Sequence, residues 1–318
     1  MQSLIETTSA YTLLQKDSVQ NSLAHAYLLH FEDGTNLRKV LKILATLFFS
    51  NATNQRINQL IEKEIFTDCL FYPQTDKKFT VEDAEKISEE CVLKPVEGEQ
   101  KAFVICDFQT ATPASQNKLL KLLEEPPKGV VFLLGTTSLF PILPTVLSRV
   151  KIIKIDPFLP HQIAEYLKRK YPDFTPTDIL SASTVANGCL GQAESMLEGG
   201  VHRQMLTDAF ALTLCKSAEL PVLCKKLADY KYKKELLTLL RFIFRDALLL
   251  KTGIKKENLL LQTEKLKLLH VAEKYTIFAL AQAQERISKA EKQLFFNGYF
   301  PQCLEVLLAN INADNERN

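Results

Sequence analysis

Two rhythms of apolar residues run through the first half of the chain. His25-Ala-Tyr-Leu-Leu-His30-Phe31, Cys69-Leu-Phe-Tyr-Pro73, Ala102–Phe108, Val130–Thr137 and Val150–Ile155 are short, nearly continuous apolar runs. Bounded by turn residues, such runs predict strands buried on both faces. Between them, apolar residues recur every three or four positions. Leu37, Val40, Leu41, Leu44 and Leu47 share one face of a helix over Leu37–Ser50, and Leu119, Leu120, Leu122 and Leu123 are the apolar positions of another.

The ends of that second helix are readable. Thr112 is an N-cap with Pro113 in the first turn, and Pro126-Pro127 stops the helix just after Glu124 and Glu125. One or two short helices are expected over residues 1–24. Thr80 opens a helix running to about Cys91, with Asp83 giving a loose capping box. A short helix is expected over Phe140–Leu147. Strand, helix, strand, helix, strand is the order of a mostly parallel sheet with helices packed on it.

Asp156-Pro157-Phe158 and Pro160 break this pattern. Helices over His161–Lys170, Thr177–Ala186 and Gly191–Glu198 form a small unit that ends at Gly199-Gly200. The remainder is helical by pattern, over about 202–217, 219–229, 231–252, 257–270 or later, 273–289 and 300–312. The helix holding Leu236, Leu237, Leu240, Ile243, Phe244, Ala247 and Leu248 is too apolar for a free surface. The expected fold class is therefore α/β plus all-α, with a parallel-sheet domain over 1–157, a small helical domain over 158–200 and a larger helical domain over 201–318.

At 318 residues the chain has room for two or three domains, each able to bury a core. Thirty-nine basic against 37 acidic residues give a net charge of +2, which argues against a dominant nucleic-acid surface. The lysines at 225, 226, 231, 233, 234, 255 and 256 read as solvated faces. No apolar run approaches the ~18 residues needed to cross a bilayer, so no membrane partner is expected. The first residues lack a basic start followed by an apolar stretch, and the expected location is the cytoplasm. Cys69, Cys91, Cys106, Cys189, Cys215, Cys224 and Cys303 include no pair two to four residues apart, which speaks against a sequence-local zinc site. They read as small core residues.

A family resemblance rests on one stretch. Leu119-Leu120-Lys121-Leu122-Leu123-Glu124-Glu125-Pro126-Pro127, a strand ending Thr136-Thr137, and Leu143-Pro144-Thr145 followed by Ser148-Arg149 resemble the AAA+ (RecA-like) core of bacterial clamp-loader subunits. Val150 stands where that family usually has Cys. The resemblance implies that 158–200 is a lid domain and 201–318 a collar that holds subunits together. Arg245-Asp246 through Gly253 and the stretch from Pro301 are similar to collar sequences.

The family's nucleotide loop, Gly-x-x-x-x-Gly-Lys-Thr, follows His-Ala-Tyr-Leu. Here the same spacing puts Phe31 and Asn36 in the two glycine slots, Leu37 in place of the lysine and Arg38 in place of the hydroxyl residue; Gly34 lies between them. The missing glycines and lysine are the groups that would wrap and neutralise phosphates, and Glu32 and Asp33 add charge of the wrong sign. Arg38 reads as solvated. Asp107 survives at the strand end where a magnesium-holding carboxylate would lie, while Gln109 sits where Glu is common. Thr136 occupies the sensor position and Gln192 replaces the sensor arginine. The cysteines of the family's zinc module are absent, since none precedes Cys69. No competent ATP site, no zinc and no other metal or cofactor is therefore expected.

Ser148-Arg149 is the one catalytic feature kept. The resemblance implies that Arg149 is an arginine finger projecting into the ATP site of a neighbouring subunit. Its partners would be ATPase (gamma/tau) subunits and a delta subunit in a pentamer that opens the ring-shaped sliding clamp and places it on primed DNA, as part of a DNA polymerase holoenzyme. The expected role is that of a subunit which does not itself hydrolyse ATP. Two alternatives stand beside it: an active motor of the gamma/tau kind, and a DNA-binding accessory module sharing the fold.

Overall fold

The computed structural model describes residues 1–49, 55–74, 78–97, 99–253, 259–261 and 264–316. The chain forms two compact units. Met1–Phe158 with Cys189–Gln192 make the first; Leu159–Gly188 with Ala193–Asn318 make the second. Expected boundaries at 157 and 200 follow composition. By compactness, helices on both sides of Gly200 share the second unit, and four residues of the expected lid join the first.

The first unit runs α1 (Gln2–Ile5), α2 (Ser9–Val19), β1 (Ala26–His30), α3 (Gly34–Ala45), α4 (Gln55–Glu62), β2 (Cys69–Tyr72), α5 (Val81–Glu90), β3 (Lys101–Ile105), α6 (Pro113–Glu124), β4 (Val130–Thr136), α7 (Pro144–Leu147) and β5 (Lys151–Lys154). The five strands form one sheet in the order β2-β3-β4-β1-β5. All neighbours are parallel, with Leu28 opposite Leu134 and Ile152, and Phe103 opposite Leu70 and Phe132. β3 and β4 are buried along their whole length, which is why they read as unbroken apolar runs. Phe103 and Phe132 stack at 5.6 Å between ring centroids in the core beneath α5 and α6. On the other side Leu41 of α3 lies so close to Gly135 of β4 that a Cβ there would sit 2.5 Å from its Cδ1. Glycine lets this helix settle onto the sheet.

Four local differences from the sequence reading have physical causes. α3 starts at Gly34, three residues earlier than expected, because the Asp33 side chain caps it; it ends at Ala45 and a 3₁₀ turn over Thr46–Phe49 follows. β3 stops at Ile105 because Asp107 takes a left-handed conformation (φ 51°) into a 3₁₀ turn over Phe108–Thr110. α7 is only one turn long. Pro144 opens it, and the residue before a proline is pushed to extended backbone, as Leu143 is (ψ 139°). The capping box of α5 is complete: Asp83 Oδ2 accepts the Thr80 N–H at 3.0 Å and Thr80 Oγ1 accepts the Asp83 N–H at 3.3 Å.

The second unit holds α8 (Pro160–Lys170), α9 (Pro176–Val185), most of α10 (Leu190–Glu198), α11 (Val201–Leu214), α12 (Leu220–Lys226), α13 (Lys233–Lys251), α14 (Lys265–Lys274), α15 (Ile277–Phe295) and α16 (Phe300–Glu316). α13 buries Leu236, Leu237, Leu240, Ile243, Phe244 and Ala247. Phe244 meets Tyr275 edge-on at 5.5 Å. Asp246 is fully buried, with Oδ1 2.8 Å from Arg245 Nη1 and Oδ2 accepting the Leu261 N–H at 2.8 Å. Burial pushes its carboxyl above the usual range. Lys274 donates to the carbonyls of Thr213 and Cys215 at 2.9 and 2.7 Å, closing the end of α11. The expected helix from 257 falls partly outside the described residues, as do Lys255 and Lys256.

Candidate functional site

Two places in the first unit collect the residues that the sequence singled out. One is the loop after β1, at the carboxyl end of a strand flanked by β4 and β5. That is where an open parallel sheet places its ligand crevice. The other is the end of α7.

In the loop, Asp33 is buried, 4% exposed. Its Oδ1 accepts the Asn36 N–H at 3.3 Å, and its Oδ2 accepts the Asn36 side-chain amide at 3.0 Å and the Gly191 N–H at 2.7 Å. A helix N-terminus presents orphan N–H groups and positive potential, the features that attract a phosphate. Here the chain's own carboxylate sits on them. The close approach of Gly191 depends on its missing side chain. A Cβ would lie 2.6 Å from Thr35 Cβ and 2.8 Å from Asp33 Oδ1. Phe31 is buried against Phe158, with ring centroids 6.1 Å apart.

Leu37 is fully buried and carries no charge into the loop. Arg38, expected to be solvated, is instead bound. Nε donates to Glu64 Oε1 at 2.7 Å, Nη2 to Glu64 Oε2, and Nη1 to the Pro73 carbonyl at 3.0 Å. Lys42 reaches the same Glu64 at 2.8 Å. Burial would raise the Glu64 carboxyl, but the bonds from Arg38 and Lys42 outweigh it and hold the group below the usual carboxylate range. Gly34 and Thr35 are exposed beside this arrangement.

Asp107 and Gln109 bond to each other, Gln109 Nε2 donating to Asp107 Oδ1 at 3.0 Å. Gln109 Oε1 also accepts the Thr137 N–H at 3.1 Å. Thr136 is buried and donates to the Ser138 carbonyl at 2.6 Å. Gln192, in the first turns of α10, is partly buried. As a triphosphate cradle this donor set does not fit: the N-terminal groups of α3 meet a carboxylate, leucine fills the lysine slot, and Arg38 is tied to Glu64, while Lys39 donates to Asn36 Oδ1 at 3.3 Å. Among the described residues no group of three or more His, Cys, Asp or Glu is arranged to hold a metal ion.

At the end of α7 the side chains face outward. Ser148 is exposed and Arg149 about one-third so. Arg149 Nη1 donates to the Thr145 carbonyl at 2.8 Å and to Ser148 Oγ at 3.1 Å. Nη2 lies 2.6 Å from Glu124 Oε1 at the end of α6. An open groove beside them is lined by His25, Leu123, Glu124, Ser148, Arg149 and Lys151. α7 is held in place by Gln116 of α6, which is fully buried; it accepts the Leu143 N–H at 2.9 Å and donates to the Pro141 carbonyl at 3.1 Å. The sequence reading gave no role to Asp33 as a cap, to Gln116 or to Glu124 beyond its place before the prolines. Aspartate just ahead of Gly34 and Asn36 was an available signal for the cap. Nothing local marks the other two.

A parallel sheet with β1 between β4 and β5, a loop leading from β1 into α3, and helices on both faces define an AAA+ (RecA-like) domain followed by helical regions. Residues 6–158 match the family model described as "DNA polymerase III, delta subunit". Among curated proteins, the DNA polymerase III subunit gamma of Buchnera aphidicola subsp. Schizaphis graminum is 25% identical over 289 residues, spanning 82% of this chain and 79% of that one. Subunit gamma of Buchnera aphidicola subsp. Acyrthosiphon pisum is 29% identical over 205 residues, spanning 59% and 57%. A gamma subunit-related protein of Thermotoga maritima aligns with a TM-score of 0.45 at 18% identity, covering 96% of this chain and 100% of that one. Over residues 6–158 the chain is therefore similar to the DNA polymerase III clamp-loader family. Among the described residues no helix is long and apolar enough to cross a membrane.

Proposed function

We propose that this chain is a delta-prime-type subunit of the clamp loader. It does not hydrolyse ATP, and it completes a neighbour's ATP site with Arg149. It assembles with gamma/tau and delta subunits, and the assembly opens the sliding clamp and sets it on primed DNA. The observation that carries this reading is the Asp33 carboxylate on the N-terminus of α3, with Leu37 in the lysine slot. An anion bound there would meet like charge in a buried setting, where repulsion is poorly screened. Arg149, by contrast, is outward and permanently charged, with the forked donors that suit phosphate oxygens. A chain that cannot cradle its own nucleotide, yet presents such a cation at a subunit edge, fits a partner in someone else's chemistry.

A second reading has its own support. The curated relatives named above are gamma subunits, so an active motor is the natural rival. One pair of measurements separates them: ATP affinity of the isolated chain, and ATP turnover of the reconstituted loader with Arg149→Ala, in the presence of clamp and primed DNA. The proposal expects no ATP binding in the millimolar range or tighter, and a turnover loss of at least about tenfold with assembly intact. Tight ATP binding by the isolated chain would favour the motor. Unchanged turnover in a fully assembled Arg149→Ala complex would remove the finger.

A further inference from the structure

Arg149 is held by groups from two helices, and the more distant one belongs to a conspicuous place in the sequence. Glu124 is the last residue of α6, in the Leu-Glu-Glu-Pro-Pro stretch, and its Oε1 stands 2.6 Å from Arg149 Nη2. Thr145 and Ser148, on or beside α7, take the two hydrogens of Nη1. Guanidinium has five N–H groups. These three contacts leave two of them, on a side chain that is one-third exposed.

The position of Glu124 is not explained by its own helix. A carboxylate in the last turn of a helix faces the negative end of the macrodipole and weakens the helix slightly. Nor is the ion pair a strong contributor to folding: both partners are solvent-exposed, 33% and 46%, where such pairs have little net effect. What the contact does supply is orientation. An arginine side chain has several freely rotating bonds, and a finger that must be caught from many rotamers loses that freedom at the moment of reaction. Tying Nη2 to α6 and Nη1 to α7 removes it beforehand.

We infer that Glu124 is the positioning residue for Arg149, fixing the guanidinium so that its remaining N–H groups meet a neighbouring subunit's phosphate oxygens. This rests on the finger reading given above. Glu124 does not touch the phosphate; it acts through the arginine. Because the pair is exposed and weak, an arriving phosphate shares the guanidinium rather than having to tear it from a buried partner.

The test is a double-mutant cycle in the reconstituted loader, with clamp and primed DNA, reading kcat and KM for ATP. Glu124→Ala is expected to lower kcat about five- to twentyfold with KM for ATP unchanged, because the neighbour's own cradle still binds the nucleotide. Glu124→Gln keeps an acceptor oxygen at the same reach and should recover most of the loss, to within about threefold of the unmodified chain. In an Arg149→Ala background, Glu124→Ala should do nothing further. An unchanged kcat for Glu124→Ala, or a kcat that rises, would overturn the positioning role. A further loss in the Arg149→Ala background would overturn it too, since Glu124 would then act by another route. If Arg149→Ala alone leaves turnover intact, the finger fails first, and that outcome is distinct from a failure of Glu124 alone. Melting temperature and subunit stoichiometry, measured alongside, exclude a folding or assembly defect as the source of any loss.

Discussion

The loop after β1 and the end of α7 use the same two kinds of charge in opposite ways. In the loop, Asp33 is buried and accepts three N–H groups of its own chain, while Arg38 is bound on three sides by Glu64 and Pro73. At the end of α7, the arginine and its carboxylate are both part-exposed and border an open groove. The arginines are about equally exposed, 30% and 33%, so the burial of the carboxylates makes the difference: Asp33 and Glu64 lie inside the fold, Glu124 at its surface. A buried charge must be fully satisfied from within, and once satisfied it has nothing to offer a ligand. An exposed one keeps donors for an incoming partner. The first region shows charges spent on holding the fold together, and the second a guanidinium that keeps N–H groups open to the groove beside it.

The comparison breaks most sharply if the two regions fail to separate activity from stability. Arg149→Ala is expected to lower turnover of the assembled loader by at least about tenfold, since trans fingers are typically worth ~10³–10⁵ in rate. Its effect on unfolding should stay below about 1 kcal/mol, as for other exposed pairs. Asp33→Ala should do the reverse. It removes a helix cap and leaves the Gly191 N–H without its acceptor, a loss of about 1–3 kcal/mol by urea unfolding. Turnover per assembled complex should be unchanged. Nor should Asp33→Ala acquire ATP binding, because Leu37 still supplies no cation. Binding of ATP by that variant would show that Asp33 alone blocks the loop and would bring the motor reading back.

What could be read from sequence divides along the same line. The five strands were legible because a parallel sheet covered on both faces leaves continuous apolar runs, and α6 because Thr112 and Pro126 punctuate it. These signals are local. The state of the loop was legible only in part. Missing glycines and the missing lysine could be seen residue by residue, but the reading of Arg38 as solvated was wrong. Its partner Glu64 lies 26 residues away, and only the tertiary fold brings the two together. The same holds for Glu124, which ends α6, and Arg149, which follows α7. α7 came out shorter than its apolar pattern suggested because Pro144 and the restricted Leu143 before it override periodicity. Periodicity reports which face is buried; it does not report which charges will meet.

A smaller effect sharpens the account of the loop. Glu64 holds Arg38 and Lys42 in place, and its carboxyl lies below the usual range because of them. For a carboxylate with a lowered folded-state value, the stabilisation is present above the ordinary carboxylate value and is lost as pH falls through the folded one. Glu64→Gln should therefore cost about 1 kcal/mol at neutral pH, with the gap to the unmodified chain closing as the pH falls below the ordinary carboxylate range. Urea midpoints across that range measure it. A gap independent of pH would mean that the charge on Glu64 is not what binds Arg38.

The smallest expected effect compares two helix starts. Asp33 caps α3 from a buried position, and Thr80 caps α5 from an exposed one, each accepting a backbone N–H at 3.3 Å. Water can replace part of what Thr80 supplies, whereas the groups around Asp33 have no such replacement. Thr80→Ala should then lower stability by about 0.5–1 kcal/mol, toward the low end for cap removal and clearly less than Asp33→Ala. Asp83 remains to accept the N–H of residue 80, so half of the box survives the substitution. Urea unfolding of the two variants under one set of conditions gives the ratio directly. Equal losses would mean that burial adds nothing at Asp33, and the contrast between a loop closed on itself and an arginine left open would lose its energetic basis.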